Sequence, residues 1–176
     1  MIQTITHNII IPKGGYIHTF LVPPVDESRE WNETVHVGGP DTPDDCDIWK
    51  VGNRYPPTIA DVSKKPHEII LAQFGYVGHS NSKNNIAWAK SQHLIPATPR
   101  QLFAVSEYYS RFIKKLHNPV TVVSLIPCYF RRRQWVCVVR WEERVREADL
   151  YYFSSKWFIN ILFAFVHENP GYQNET

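Results

Sequence analysis

Residues 98–141 read TPRQLFAVSEYYSRFIKKLHNPVTVVSLIPCYFRRRQWVCVVRW, and the reading of this stretch decides the fold. Thr98 stands as an N-cap, Pro99 takes the first helical position, where its missing N–H is not needed, and Gln101 closes a capping box. Leu102, Val105, Tyr109, Phe112, Ile113 and Leu116 then recur at three- and four-residue steps. One helix face is therefore apolar, and Arg100, Glu107, Arg111, Lys114 and Lys115 are left to solvent. Beyond the helix, Val120 to Phe130 and Gln134 to Trp141 are rich in β-branched and aromatic residues and flank a basic tip, Arg131-Arg132-Arg133. A tight turn centred on Arg132-Arg133 sets Cys128 opposite Cys137, Phe130 opposite Trp135 and Ile126 opposite Val139. The other face of the pair, Val123, Leu125, Val136 and Val138, is equally apolar, which places it in a sheet covered on both sides. Pro127 is awkward there, since proline in a strand implies an edge or a bulge.

Working outward, Asp149 to Phe153 and Asn160 to His167 read as two more strands joined through Ser154-Ser155-Lys156. A short helix is expected over Asn84 to His93, with Ile86, Trp88 and Ala89 inward. Another is expected from Pro66, capped by Ser63, with Ile69, Ile70 and Phe74 on one face and Gly75 or Gly78 ending it. At the N-terminus, Thr4 to Pro12 and the alternating Tyr16 to Val22 flank a turn signal at Lys13-Gly14-Gly15 and predict a hairpin. Between them, Pro23 to Pro57 is dense in Pro, Gly, Asp and Asn and carries isolated Trp31 and Trp49, as expected of a long irregular loop pinned by two aromatic anchors. The expected architecture is α+β in a single domain over residues 1–176. It comprises an antiparallel sheet with two or three helices in a core over 84–167, a long acidic loop over 23–57 and a tail over 168–176.

Composition fits one core: 176 residues bury roughly two-thirds of their unfolded surface. A 43% hydrophobic and 14% aromatic chain is not a disordered one, and its 13 prolines point to long connections. The N-terminus has no basic region followed by an apolar one, so a cytoplasmic protein is expected. The longest nearly apolar run, Trp157 to Val166, is interrupted by Asn160 and is about half the roughly 20 residues that span a bilayer. Net charge is +2, yet Asp26 to Asp47 holds eight acids against Arg29, and Asn84 to His167 holds twelve Lys and Arg against five acids. Either the acidic loop folds back over the basic surface, or the two serve different partners, or the loop is simply solvated.

Residues 85–102, from Asn85 through Ile95-Pro96-Ala97-Thr98-Pro99 to Leu102, together with the terminal Phe163-Ala164-Phe165-Val166-His167, resemble the helix, short turn, helix start and closing aromatic strand of C-type lectin-like domains. The formylglycine-generating-enzyme type and the variable proteins of diversity-generating retroelements are included in that group. The resemblance covers residues 84–167. It implies a binding version of the fold, since the lectin disulfide framework, the Glu-Pro-Asn or Gln-Pro-Asp sugar-binding triplet and the paired reactive cysteines have no counterpart here.

Chemistry-bearing motifs are sparse. Cys128 and Cys137 read as small buried core thiols, with a disulfide or half a metal site as the alternative. Asp41, Asp44, Asp45 and Asp47 lack the central Gly and terminal Glu of an EF-hand. The eight histidines show no His-x-x-x-His pair, and no metal or other cofactor is expected. Gly75-Tyr76-Val77-Gly78-His79-Ser80 lacks the Lys-Ser/Thr ending of a phosphate cradle. Arg131, Arg132 and Arg133 beside Tyr129, Phe130 and Trp135 combine cations with stacking surfaces. An arginine-rich tip also serves simply to keep a sheet end soluble. The expectation is a non-catalytic binding protein that recognises a macromolecular partner, first of all a protein, with Tyr129, Arg131, Arg132, Arg133 and Trp135 as binding residues. The alternatives are a nucleic-acid binder using the same tip, and an enzyme whose site is assembled from scattered His, Cys and Asp.

Overall fold

The computed structural model describes residues 9–26, 28–55, 66–75, 80–116, 119–158 and 160–168. Its centre is one sheet in the order β1 (Tyr16–Val22), β2 (His67–Gln73), β10 (Ile161–His167), β5 (Val120–Ser124) and β7 (Arg133–Glu142). β8 (Val145–Tyr152) pairs with β7. β6 (Cys128–Phe130) continues the line of β5 along β7, and β4 (Leu94–Pro96) continues it along β10. All pairings are antiparallel except β10 with β5. The chain is thus α+β with a mostly antiparallel sheet.

Both faces are covered, as the apolar character of both faces of β5 and β7 requires. On one face, α1 (Trp31–Gly38) and α3 (Pro99–Leu116) pack over Phe20, Leu71, Val122, Val139, Leu150 and Leu162. On the other, α2 (Ser82–Ser91) and the small pair of β3 (Ser80–Asn81) and β9 (Lys156–Trp157) cover Ile70, Val123, Val136, Val138, Phe163 and Phe165. Helix α2 begins on Asn81, whose side chain accepts from the Asn84 N–H.

Helix α3 starts as its sequence dictates. Thr98 Oγ1 accepts from the Gln101 N–H at 3.2 Å, and Gln101 Oε1 accepts from the Thr98 N–H at 2.8 Å, a complete capping box. Leu102, Val105 and Ile113 are buried. Two expectations on this helix fail. Arg100 is buried, donating to the Arg29 carbonyl and Thr34 Oγ1, because α1 lies over the first turn. Phe112 is 46% exposed, because α3 is non-helical at Tyr109 and its second half turns the ring outward at the sheet edge.

The segment from Pro66 is strand β2, not a helix. Its Ile69-Ile70-Leu71-Ala72 run lies between β1 and β10 and is buried on both faces, and a short continuous apolar run does not distinguish that environment from a helix face. The expected cap Ser63 and the stop Gly78 lie outside the described residues. The N-terminal hairpin is corrected as well. Strand β1 forms, but it pairs with β2 from Tyr16↔Gln73 to Val22↔His67. Residues 9–12 are not strand, and residues 4–8 lie outside the described ones. The turn signal is real, with Gly14 at φ +69° and the Gly15 N–H on the Pro12 carbonyl.

The long loop is more ordered than its composition suggests. It holds α1 and two short 3-10 turns, Asp47–Lys50 and Gly52–Arg54. Trp31 anchors it as expected, stacked on Tyr55 at 5.4 Å with its Nε1–H on the Ile48 carbonyl. Trp49 is half-buried and donates to the Pro43 carbonyl. Gly38 lets α1 approach α3, since a Cβ there would stand 2.5 Å from Phe103 Cδ1.

Candidate functional site

The basic tip is a two-residue turn on Arg131-Arg132, one residue earlier than expected. Its strands pair Cys128↔Trp135, Tyr129↔Gln134 and Phe130↔Arg133, two residues away from the expected register. The turn sets that shift, and beyond Pro127 it doubles, so that Val139 pairs with Val122 instead of the expected Ile126. Residues 125–127 break out of the ladder between β5 and β6, and the Ile126 carbonyl accepts from the Tyr55 hydroxyl instead of a strand partner. An even shift keeps every side chain on its intended face.

Alternation then sorts the predicted residues. Phe130, Arg133 and Trp135 share the face that carries Cys128 and Cys137, and Tyr152 on β8 joins them by pairing with Trp135. Trp135 and Tyr152 stack at 4.1 Å between ring centroids. The Arg133 guanidinium lies 5.1 Å over the Tyr152 ring and donates to its hydroxyl at 2.8 Å. Trp135 Nε1–H closes the turn on the Phe130 carbonyl. Tyr129 points to the opposite face and is 64% exposed. Of the five residues grouped from sequence, Arg133 and Trp135 join Tyr152 in a ladder on one face, Tyr129 lies on the other, and Arg131 and Arg132 form the turn between the strands.

Arg131 lies over the Phe130 ring at 5.1 Å, and its Nη1 meets Asp47 Oδ2 at 2.7 Å. Asp47 also holds Lys50 at 2.9 Å. One acid of the early segment thus does reach the basic tip. Arg131 and Arg132 both adopt the left-handed backbone, at φ +49° and +62°. Such a turn suits the right-handed twist of a hairpin but favours Asn-Gly, and a side chain beyond glycine costs roughly 1–2 kcal/mol there.

Tyr152 was missed as a contributor to the tip, whereas Asp47 belongs to the acidic segment that the sequence offered as folding back over the basic surface. Tyr152 had a signal, since pairing the strand after Glu142 back onto β7 sets it opposite Trp135. Asp47 had only its charge, because its position depends on the path of the whole segment.

The Tyr55 hydroxyl sits beside the Cys128 and Cys137 thiols, and burial raises all three pKa values, so each stays neutral and unreactive. Cys46, half-buried, donates to Asp149 Oδ1 at 3.4 Å, and burial pushes its thiol up to about 11. A cleft of about 400 Å³ lies between Trp31, Trp49, Lys50, Arg29 and Arg100. It gathers cations and aromatic rings, and Ser28 in its lining donates to Asp26 Oδ1 at 2.6 Å. Among the described residues no three His, Cys, Asp or Glu side chains are placed to hold a metal ion, and no helix is long and apolar enough to cross a membrane.

No family model, no curated protein and no solved structure matches this chain.

Proposed function

We propose that this chain is a non-catalytic binding protein that holds an acidic segment of a protein partner at the β6–β7 tip. The observation that carries the reading is the pair of left-handed arginines. A turn of this shape is lower in energy with Asn-Gly, so two strained arginines at an exposed tip point to a use for their side chains. The ladder of Arg133, Tyr152 and Trp135 supplies a flat, half-exposed surface beside them, suited to stacking as well as charge. The contact of Asp47 with Arg131 supports a carboxylate as the group recognised.

The binding residues are Arg131, Arg132, Arg133, Trp135 and Tyr152, with Tyr129 serving the opposite face. Two finer readings belong to the same proposal. The first is a C-type lectin-like arrangement over residues 84–167, supported by the capped helix start at Thr98 and the closing strand through Phe163. The second is a cytoplasmic location, supported by the burial of Cys128 and Cys137 as free thiols in one core.

The test is a triple replacement of Arg131, Arg132 and Arg133 by Ser, with polyglutamate and single-stranded oligonucleotides as probes. Loss of polyglutamate binding at an unchanged melting temperature is the expected result. Retention of polyglutamate binding overturns the reading. Loss confined to the oligonucleotide transfers the tip to nucleic acid, where binding falls steeply with salt.

A further inference from the structure

The cleft beside the tip has walls that the chain has already fixed. Trp31 is its buried wall, stacked on Tyr55 with its Nε1–H on the Ile48 carbonyl. Trp49 is its half-buried wall, with its Nε1–H on the Pro43 carbonyl. Both indoles are therefore set in place before anything enters, which lowers the cost of ordering them around a ligand.

Charge in the cleft is largely matched from within the chain. Arg29 Nη1 meets Glu107 Oε2 at 3.0 Å, Lys50 Nζ meets Asp47 Oδ1 at 2.9 Å, and Glu30 adds a carboxylate to the lining. A second anion inside the cleft would meet acids as well as cations. What the cleft offers is flat surface, indole and guanidinium together, on which a neutral ring stacks. Its volume of about 400 Å³ lies within the range of ligand pockets and has room for one aromatic side chain.

Asp47 joins this cleft to the tip. Its Oδ1 holds Lys50, which lines the cleft, and its Oδ2 holds Arg131 at 2.7 Å. The two cations are thus one carboxylate apart, and Asp47 occupies the place between them that a partner's carboxylate would take. In an extended segment, side chains two residues apart share a face and stand roughly 7 Å from each other. An acid in the place of Asp47 therefore turns the side chain two residues away toward the same surface, on the side of Lys50.

We propose that the cleft is the anchor pocket for an aromatic side chain of the acidic segment held at the tip. The inference rests on the reading given to the tip, and it adds Lys50 and Trp49 to the binding residues and a ring near an acid to the partner. A ring that fills a pocket beside a charged contact is the kind of group that dominates affinity at protein interfaces.

The probes are two fluorescein-labelled pentapeptides, Glu-Glu-Ser-Phe-Glu and Glu-Glu-Ser-Ser-Glu, titrated against the full chain by anisotropy at about 0.01 M salt. The Phe peptide is expected to bind about tenfold more tightly, the effect of burying part of one ring. Asn53→Trp, a change at an exposed residue of the cleft lining, is expected to abolish that gain and leave the Ser peptide unchanged. Lys50→Ser is expected to weaken both peptides. The peptide pair tests the cleft on the unaltered chain, and replacing Arg131, Arg132 and Arg133 by Ser separates the two readings. If the Ser peptide binds the wild-type chain and is lost in that variant while Phe brings no gain, the cleft proposal falls and the tip reading stands. A gain from Phe that survives Asn53→Trp overturns the proposal as well, since the ring is then held elsewhere. If the Ser peptide binds the arginine variant as tightly as the wild type, or neither peptide binds at millimolar concentration, the tip reading falls and this inference with it.

Discussion

Asp47 and Arg131 join the most acidic part of the chain to its most basic turn, carboxylate to guanidinium at 2.7 Å. The pair is exposed on the arginine side, so its contribution to stability is small, on the order of 0–1 kcal/mol. If the tip binds as proposed, the pair matters more there, because it occupies the cation that a ligand carboxylate would otherwise meet.

Asp47→Asn is therefore expected to strengthen polyglutamate binding without a measurable change in melting temperature. The gain should be larger at about 0.01 M salt, where the screening length is about 30 Å, than at about 1 M, where it is about 3 Å. Binding isotherms at the two ionic strengths decide it. An unchanged affinity at low salt means that the pair does not screen the tip.

Strain at the turn makes a prediction of the opposite sign for stability. Replacing Arg132 by Gly relieves a left-handed strain of roughly 1–2 kcal/mol, and replacing Arg131 by Asn, which tolerates that region, relieves a smaller part. The loss of the exposed Asp47 pair offsets at most about 1 kcal/mol of that. A rise in melting temperature of roughly 2–8 °C is expected for a chain of this size, together with weaker polyglutamate binding. A lower melting temperature would show that the arginines stabilise the turn.

How much of this was legible follows the range of the interactions. The capping box of Thr98 and Gln101 is local, and the stripe from Leu102 to Ile113 is set by helical geometry, so α3 could be read before any tertiary contact was known. Strand β2 could not, since Ile69, Ile70 and Phe74 fit a helix face as well as an interior strand, and only the neighbours β1 and β10 choose between them. The hairpin was legible to within two residues at the tip and four beyond it: the turn sits one residue early, and the break at Pro127 adds the rest. Tyr152 and Asp47 reach the tip through pairing and packing many residues away, which no local pattern encodes.

Core packing on α3 gives a sharp contrast. Leu102 is fully buried, so Leu102→Ala should cost about 2–5 kcal/mol. Phe112, despite its place in the periodic stripe, is 46% exposed, and Phe112→Ser should cost far less. Denaturant midpoints for the two variants check this. Equal losses would put Phe112 back in the core.

The buried thiols set a pH dependence. Burial raises the folded pKa of Cys46 from 9.0 to about 11 and raises that of Cys137 as well. Between those values the folded Cys46 keeps its proton while the unfolded one has lost it, so the unfolded state binds fewer protons and stability falls as pH rises. The contribution is fully present below pH 9 and is lost as pH rises through about 11. Thermal melts from pH 8 to 11 should decline, and Cys46→Ser should flatten part of that decline. A flat profile removes the thiols from the account.

The last prediction concerns Arg146, which holds the acidic segment to the sheet. Its Nη1 donates to the Ser106 carbonyl at 2.6 Å and its Nη2 to the Val37 carbonyl at 3.0 Å, while its main-chain N–H donates to Asp41 Oδ2. Burial lowers the guanidinium pKa, with Asp41 and Glu107 acting against that. The group remains a cation at neutral pH. Arg146→Ala leaves two carbonyls of α1 and α3 without their donor and should cost about 2–4 kcal/mol. Arg146→Lys should recover only a part, because one ammonium does not reproduce a planar fork reaching two elements. The main-chain bond to Asp41 survives the substitution, but with the bond to Val37 weakened the segment leading to Asp47 is held less firmly, so the Lys variant should also bind polyglutamate more tightly at low salt, as Asp47→Asn does. Full recovery of stability by lysine, or stability lost with tip binding unchanged, would separate Arg146 from the control of the tip.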